Sequence, residues 1–444
     1  MIRAILTGVT CLWAATASAS VDIQEVTTEA GFNAWLVEEP SIPFVSLELR
    51  FIGGGSLDPE GKRGVTNLMA GLLEEGAGDL DAQAFAEAKE ALAATLQYDA
   101  GDDAMAVSAK VLTENREEAM ALLRTSLLEP RFDEEAIARV KAQVLSSIQS
   151  DRTDPDSLVG QRAAEILYGD HPYGSAMKGT VESVEALTRA DIVDAWQAAL
   201  ATDRVYIGAA GDISAEELSE LIDGLLEGLP ETGPPLPEPV TVSTEAETVV
   251  VPFDTPQSVA LFGHRAIPRD DPDFFAAFVM NQILGAGGFE SRLMEEVRDK
   301  RGLTYGVYSY IANREYSDMI MGRVASATDR IAEAVEVIRN EWRRMAEEGV
   351  TAEELEAAKT FLTGAYPLRF DSNGAIANIL VGMQTMGLEP GYIATRNDRV
   401  NAVTLEDVRR VAKRVLLPEE LLFVVVGQPE GLADATVLEE AALQ

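Results

Sequence analysis

Few side chains in this 444-residue chain have the chemistry to work as catalysts or metal ligands. There are two histidines, His171 in H-P-Y-G and His264 in F-G-H-R, and neither has a second ligand at helical or hairpin spacing, so each reads as structural. The adjacent carboxylates Glu74 and Glu75 would diverge by about 100° on a helix, which suits a solvated helix end better than a paired acid and base. Gly285-Ala286-Gly287-Gly288 lacks the third glycine of a phosphate-binding fingerprint, Glu290 standing in its place, and no Walker lysine follows. A flexible turn is expected there. The one cysteine, Cys11, lies near the N-terminus, and with no G-x-S-x-G elbow a nucleophilic triad has no members. Hydrolysis by this chain alone has no visible apparatus.

The elements that would position such residues come in two sets. Gly228 to Pro239 is proline-rich and without apolar periodicity, the mark of a linker, which we place at 228–245. On either side the same pattern recurs: Val184 to Gly211 matches Val400 to Gly427 without a gap, at an offset of 216 residues. Each copy reads as a helix capped by Thr188 or Thr404, followed by a strand ending on glycine. Phe132 to Lys141 likewise resembles Val350 to Lys359. The expectation is an α+β chain of two homologous domains, 20–227 and 246–433, with a C-terminal tail at 434–444.

Further motifs sharpen this. An alternating strand, Phe44 to Phe51, breaks at Gly53-Gly54-Gly55-Ser56, and Gly64 opens a helix with Val65, Leu68, Met69, Leu72 and Leu73 on one face. H-P-Y-G at 171–174, G-T at 179–180 and F-E-S-R-L-M-E-E-V-R-D-K-R-G-L-T-Y at 289–305 follow. Together with the duplication, these make the chain resemble the pitrilysin/insulysin-type zinc peptidases, the inverzincins. The resemblance implies that each domain is an antiparallel-rich sheet with helices packed on one face, the pair forming half of a clamshell. Active members carry H-x-x-E-H, whose histidines share one helical face and bind zinc while the glutamate activates water. Aligned on that frame, G-V-T-N-L-M-A-G puts Asn67 and Gly71 at the histidine positions and Ala70 at the base, and V-L-S-S-I puts Ser147 at the distal carboxylate. No metal site is expected in this chain. The family's arginine and tyrosine that reach substrate from the non-catalytic domain correspond to Arg298 and Tyr305. The resemblance therefore implies a non-catalytic, substrate-binding subunit, similar to the inactive chain of mitochondrial-processing-peptidase-like heterodimers. Zinc would belong to an H-x-x-E-H partner subunit, and an unfolded peptide would be the substrate. A peptide-binding or scaffold pseudo-peptidase without a hydrolytic partner is the alternative.

Composition bounds the setting. Residues 1–19 read as a signal peptide, with Arg3, an apolar run and Ala17-Ser18-Ala19 as cleavage signature. That run is shorter than the ~20 residues of a membrane-spanning helix, so cleavage and a periplasmic destination without a membrane anchor are expected. The 74 acidic against 36 basic residues exclude nucleic acid and anionic membrane surfaces as natural partners.

Overall fold

A computed structural model describes residues 22–438. The signal-peptide reading of residues 1–19 and the end of the chain, 439–444, lie outside the described residues.

The first half runs β1 (Gln24–Thr27), β2 (Asn33–Glu38), β3 (Phe44–Ile52), α1 (Val65–Leu72), a small hairpin of β4 (Gly76–Ala77) and β5 (Leu80–Asp81), α2 (Ala82–Ala91), β6 (Thr95–Ala100), β7 (Ala104–Leu112), α3 (Arg116–Leu128), α4 (Glu134–Asp151), α5 (Pro155–Tyr168), α6 (Val181–Ala186), α7 (Arg189–Ala199), β8 (Val205–Gly211) and α8 (Ala215–Leu226). The second half runs β9 (Thr248–Pro252), β10 (Gln257–Arg265), α9 (Phe274–Asn281), β11 (Val307–Asn313), β12 (Asp318–Ala327), α10 (Ile331–Glu348), α11 (Ala352–Ala365), α12 (Asn373–Thr385), α13 (Tyr392–Ala402), α14 (Leu405–Val415), β13 (Leu422–Gly427) and β14 (Thr436–Val437).

The two halves share one strand plan. The first sheet has the order β1-β2-β8-β3-β7-β6 and the second, read from its matching edge, β14-β9-β13-β10-β12-β11. In each, the parallel pair β2 with β8 or β9 with β13 adjoins an antiparallel set that continues across the sheet. Local chemistry enforces the repeat. Thr188 and Thr404 each close a reciprocal capping box, with Asp191 and Asp407, at the start of α7 and α14. The sixth strand breaks the symmetry: β1 precedes its sheet and runs antiparallel, whereas β14 lies in the tail and runs parallel to β9. Leu438 N–H bonding to Val250 O at 2.9 Å holds that tail segment down.

Each half packs its own helices on one face of its sheet around a separate apolar core. The opposite face receives a helix from the other half, an addition to the one-face expectation. α5 supplies Leu158, Val159 and Leu167 to a cluster with Val249, Val259 and Val424 of the second sheet. α12 returns the arrangement, packing Ala377, Leu380 and Met383 on Trp35, Val37 and Ala210 of the first. Residues 228–245, which contain no helix or strand, are tied along their length, with Arg204 donating to Pro234 O at 2.7 Å and Val240 N–H to Tyr316 O at 2.8 Å.

Candidate functional site

The helix that carries the ligands in active peptidases is intact here as a packing unit. Gly64 enters α1 in the left-handed conformation, and Asp58 accepts from the backbone N–H of Gly64 at 2.7 Å and of Thr66 at 3.1 Å, satisfying donors that a helix start leaves free. Val65, Leu68, Met69, Leu72 and Leu73 are each no more than 1% exposed. The chemistry on the remaining face has gone. Ala70 is buried and inert, and a Cβ added to Gly71 would stand 3.2 Å from Val140 Cγ1 of α4, tighter than an imidazole at this position would require. Ser147, on α4, accepts a hydrogen bond at 2.8 Å from Lys178 Nζ, which also donates to Asp151 Oδ2 at 2.8 Å. The hydroxyl at the position aligned with the distal carboxylate is thus taken up by a lysine that is itself paired with Asp151. An amide, a methyl, a glycine and a lysine-bound hydroxyl do not fit a zinc ion.

The other candidates resolve as packing or pairing. Glu74 bonds Lys89 at 2.8 Å and Glu75 bonds Arg139, so the two carboxylates serve different cations. His264 is fully buried, with Nδ1 bonded to Arg265 O at 2.7 Å and Nε2 accepting from Trp342 Nε1 at 2.9 Å. Both ring nitrogens are occupied, and burial lowers its pKa to about 4. His171 Nδ1 accepts from Tyr173 N–H at 3.2 Å. Of the glycine run expected as a flexible turn, Gly285 and Ala286 instead close a π-helical turn, Gln282–Ala286, pressed on β11, where a Cβ at Gly285 would lie 2.3 Å from Ser309 Oγ, while Gly288 turns with positive φ into open space.

Arg298 and Tyr305 are brought together. They line one cleft of about 540 Å³, walled by residues of the second half alone. Arg298 ends a π-helical turn, Met294–Asp299, bonds Asp299 at 2.8 Å and lies 4.9 Å over the Phe289 ring. Tyr305, just before β11, is 90% exposed, so its phenol is available to an outside group. The cleft is separate from the face of α1 that bears Asn67 and Gly71.

Two family descriptions match this chain one after the other: Insulinase (Peptidase family M16) over residues 34–181 and Peptidase M16 inactive domain over 186–362. The chain belongs to peptidase family M16. The second match begins before α7, so it takes in the closing helix and strand of the first sheet as well as most of the second half. A similar relative, the non-peptidase homolog YmxG of Helicobacter pylori, is 27% identical over 88% of this chain and 90% of its own. An uncharacterized zinc protease of Streptomyces coelicolor is 26% identical over 80% of this chain and 78% of its own. The crystal structure of a peptidase M16 inactive domain from Pseudomonas fluorescens superimposes with a TM-score of 0.86 at 28% identity, covering 94% of this chain and all of that one. Relatives thus bear both peptidase and non-peptidase names, and Asn67, Ala70, Gly71 and Ser147 place this M16 homologue on the non-peptidase side.

Of the motifs that the M16 resemblance rests on, H-P-Y-G holds the two halves together and G-T braces the first half. In H-P-Y-G, Tyr173 donates to Asp103, and its ring lies 3.5 Å beneath the Arg314 guanidinium from the β11–β12 hairpin. Asp102 completes the clasp, receiving Arg63 on one oxygen and Arg314 on the other, the latter at 2.9 Å. Burial and the bond to Asp103 raise the Tyr173 pKa, keeping the phenol a donor. In G-T, Gly179 crosses the backbone at Arg63, where any Cβ would come within 2.2 Å of Arg63 O, while Thr180 caps α6. Sequence reasoning missed Lys178, Asp102, Asp103 and Arg314. The only signal was the placing of Lys178 directly before G-T and of Arg314 at a polar hairpin tip.

Proposed function

We propose that this chain is the non-catalytic, substrate-binding subunit of an exported, periplasmic heterodimeric zinc metallopeptidase, paired with a homologous H-x-x-E-H subunit that holds the zinc. The observation that carries this reading is one-sided loss. The ligand face of α1 has been emptied, yet Arg298 and Tyr305 remain in one cleft with the Tyr305 phenol 90% exposed. A buried scaffold gains nothing from a tyrosine held in solvent, whereas a donor meant for a bound peptide must be left uncovered. In the assembled pair the Arg298 guanidinium donates to a peptide carbonyl and the Tyr305 hydroxyl to the oxygen that gains charge during hydrolysis. The substrate is an unfolded peptide lying along a sheet edge of the partner.

The test is reconstitution with the H-x-x-E-H homologue from the same organism. Tyr305→Phe and Arg298→Ala are each expected to lower kcat of the pair by about 100- to 1000-fold, the effect of removing one such donor, with association unchanged. Full turnover in both variants, or peptidase activity of this chain by itself, would refute the assignment. Failure of any such homologue to co-purify would favour the peptide-binding scaffold.

A further inference from the structure

In a chain with 74 acidic and 36 basic residues, most arginines have a carboxylate close by. One cavity departs from this. A pocket of about 350 Å³ lies among α9, α12, α13 and the turn after α11, lined by Arg269, Arg369 and Arg396 and by no Asp or Glu. Among the described residues none of these three forms a salt bridge. The Arg269 guanidinium lies 3.8 Å over the Phe274 ring and donates to the Tyr392 hydroxyl at 2.6 Å. Arg396 is buried and spends Nη1 on Leu362 O at 2.7 Å and Asn397 Oδ1 at 2.9 Å, with its guanidinium 4.5 Å from the centre of the Tyr366 ring. Arg369 is exposed at the mouth. Below the arginines the cavity is apolar, formed by Phe278, Ile379 and Met383.

Three uncompensated cations around one small cavity repel one another. Burial lowers the Arg396 pKa, and the nearby Arg369 charge adds to the effect. An anion among them would remove that cost, and the apolar floor would take up whatever body carried it. We propose that this cavity binds a carboxylate borne on an apolar or aromatic body, the head group among Arg269, Arg369 and Arg396 and the body over Phe278, Ile379 and Met383. The volume is near the lower end of the ~300–1,000 Å³ range of ligand pockets, room for one side chain and its carboxylate but not for an extended peptide. Such a group is either the C-terminal residue of a peptide or a free amphipathic acid.

Calorimetric titration of the whole chain separates these sources. The probes are N-acetyl-leucyl-phenylalanine, 3-phenylpropanoate and the amide of each. Both acids are expected to bind and the amides at least about tenfold more weakly, because loss of charge removes the charge-assisted bonds. Arg369→Glu, at an exposed position, should weaken acid binding by about tenfold or more while the melting temperature holds. Gly382→Leu should block the cavity, since a Cβ at Gly382 meets only Met386 Cε at 3.8 Å. Tighter binding of the dipeptide assigns the site to peptide C-termini, and tighter binding of phenylpropanoate assigns it to free acids. Equal affinity for acid and amide, no binding of either acid, or binding unchanged in both variants would overturn the proposal. No partner subunit is needed, so the result is independent of the peptidase assignment.

Discussion

The two sheets have the same strand order, yet their outer faces receive the borrowed helix in different ways. On β8 the outward positions Tyr206, Gly208 and Ala210 correspond, 216 residues on, to Leu422, Val424 and Val426 of β13. α12 therefore meets glycine and alanine and comes down close on the first sheet: a Cβ at Gly208 would lie 2.6 Å from Ala377 O and 2.9 Å from Val381 Cγ2. α5 meets branched side chains and stands off, its leucines filling the space over Val424. The neighbouring strands repeat the contrast. β3 faces outward with Ser46, Glu48 and Arg50, bonded to Ser108 and Asn378, where β10 has Val259, Leu261 and Gly263. One architecture thus supports two kinds of seam, a close one with polar surroundings and an apolar one held by side-chain volume. The Arg269 cavity and the larger cleft of about 610 Å³ at Arg50 and Arg314 both border α12, on the close seam.

Transplanting one seam onto the other gives the largest expected effect. Gly208→Val places the β13 solution on β8 and has no room to do so, because the nearest obstacle is a helix backbone carbonyl. Overpacking of this kind costs about 1–3 kcal/mol, and more where backbone must move. A urea midpoint should fall accordingly. The reverse change, Val424→Ala, removes buried methyl groups beneath α5 and should cost about 1–3 kcal/mol by leaving a cavity. If Gly208→Val were neutral, the α12 seam would not be the close one.

A second equivalent pair separates the cores. The strand registers make Phe51 of β3, opposite Met105 and Val205, the counterpart of His264 of β10, opposite Ile320. The second half has a buried neutral imidazole where the first has a phenyl ring. Burial holds the His264 pKa near 4, well below the ~6.5 of an unfolded chain. Below pH 6.5 the unfolded state takes up the proton and the native state does not, so stability falls as pH drops from about 6.5 to 4 and is unaffected above. That contribution is about 2–3 kcal/mol at the acid end. His264→Phe should remove this part of the pH dependence, while costing about 1–3 kcal/mol at pH 7 because Trp342 Nε1 loses its acceptor. Denaturation of both proteins at pH 7 and pH 4.5 measures it, and parallel losses would show that His264 is protonated in the fold.

These comparisons also show what the sequence could express. The duplication, the capped helices and the strands ending on Gly211 and Gly427 were legible because each rests on local chemistry: a threonine with an acid three residues on, alternation, a terminal glycine. Asn67, Ala70 and Gly71 could be set against H-x-x-E-H because that motif is a fixed spacing on one helix, and α1 is a helix over those positions. Helix exchange was not legible, since α5 and α12 are amphipathic helices whose pattern shows that a face is buried and not against which sheet. Lys178 on Ser147 and the Asp102–Arg314 pair join residues 31 and 212 positions apart, a closeness created only by the finished fold. Gly285 was misread for the converse reason: glycine marks flexible turns and close approaches alike, and only Ser309 beside it distinguishes them.

The smallest expected effect is at an open position of α5. Gly160 lies inside α5 with helical backbone, and a Cβ there meets no atom within 4 Å. Gly160→Ala therefore adds no clash and removes backbone freedom from the unfolded chain, so it should stabilise by about 0.5–1 kcal/mol. Gly208→Ala, the same change on the close seam, should destabilise, because its added carbon meets Ala377 O. Opposite signs for one substitution at an open helix position and at the close seam are what the surroundings of the two glycines require. A loss of stability at Gly160 would mean that an added methyl group there meets a neighbour after all.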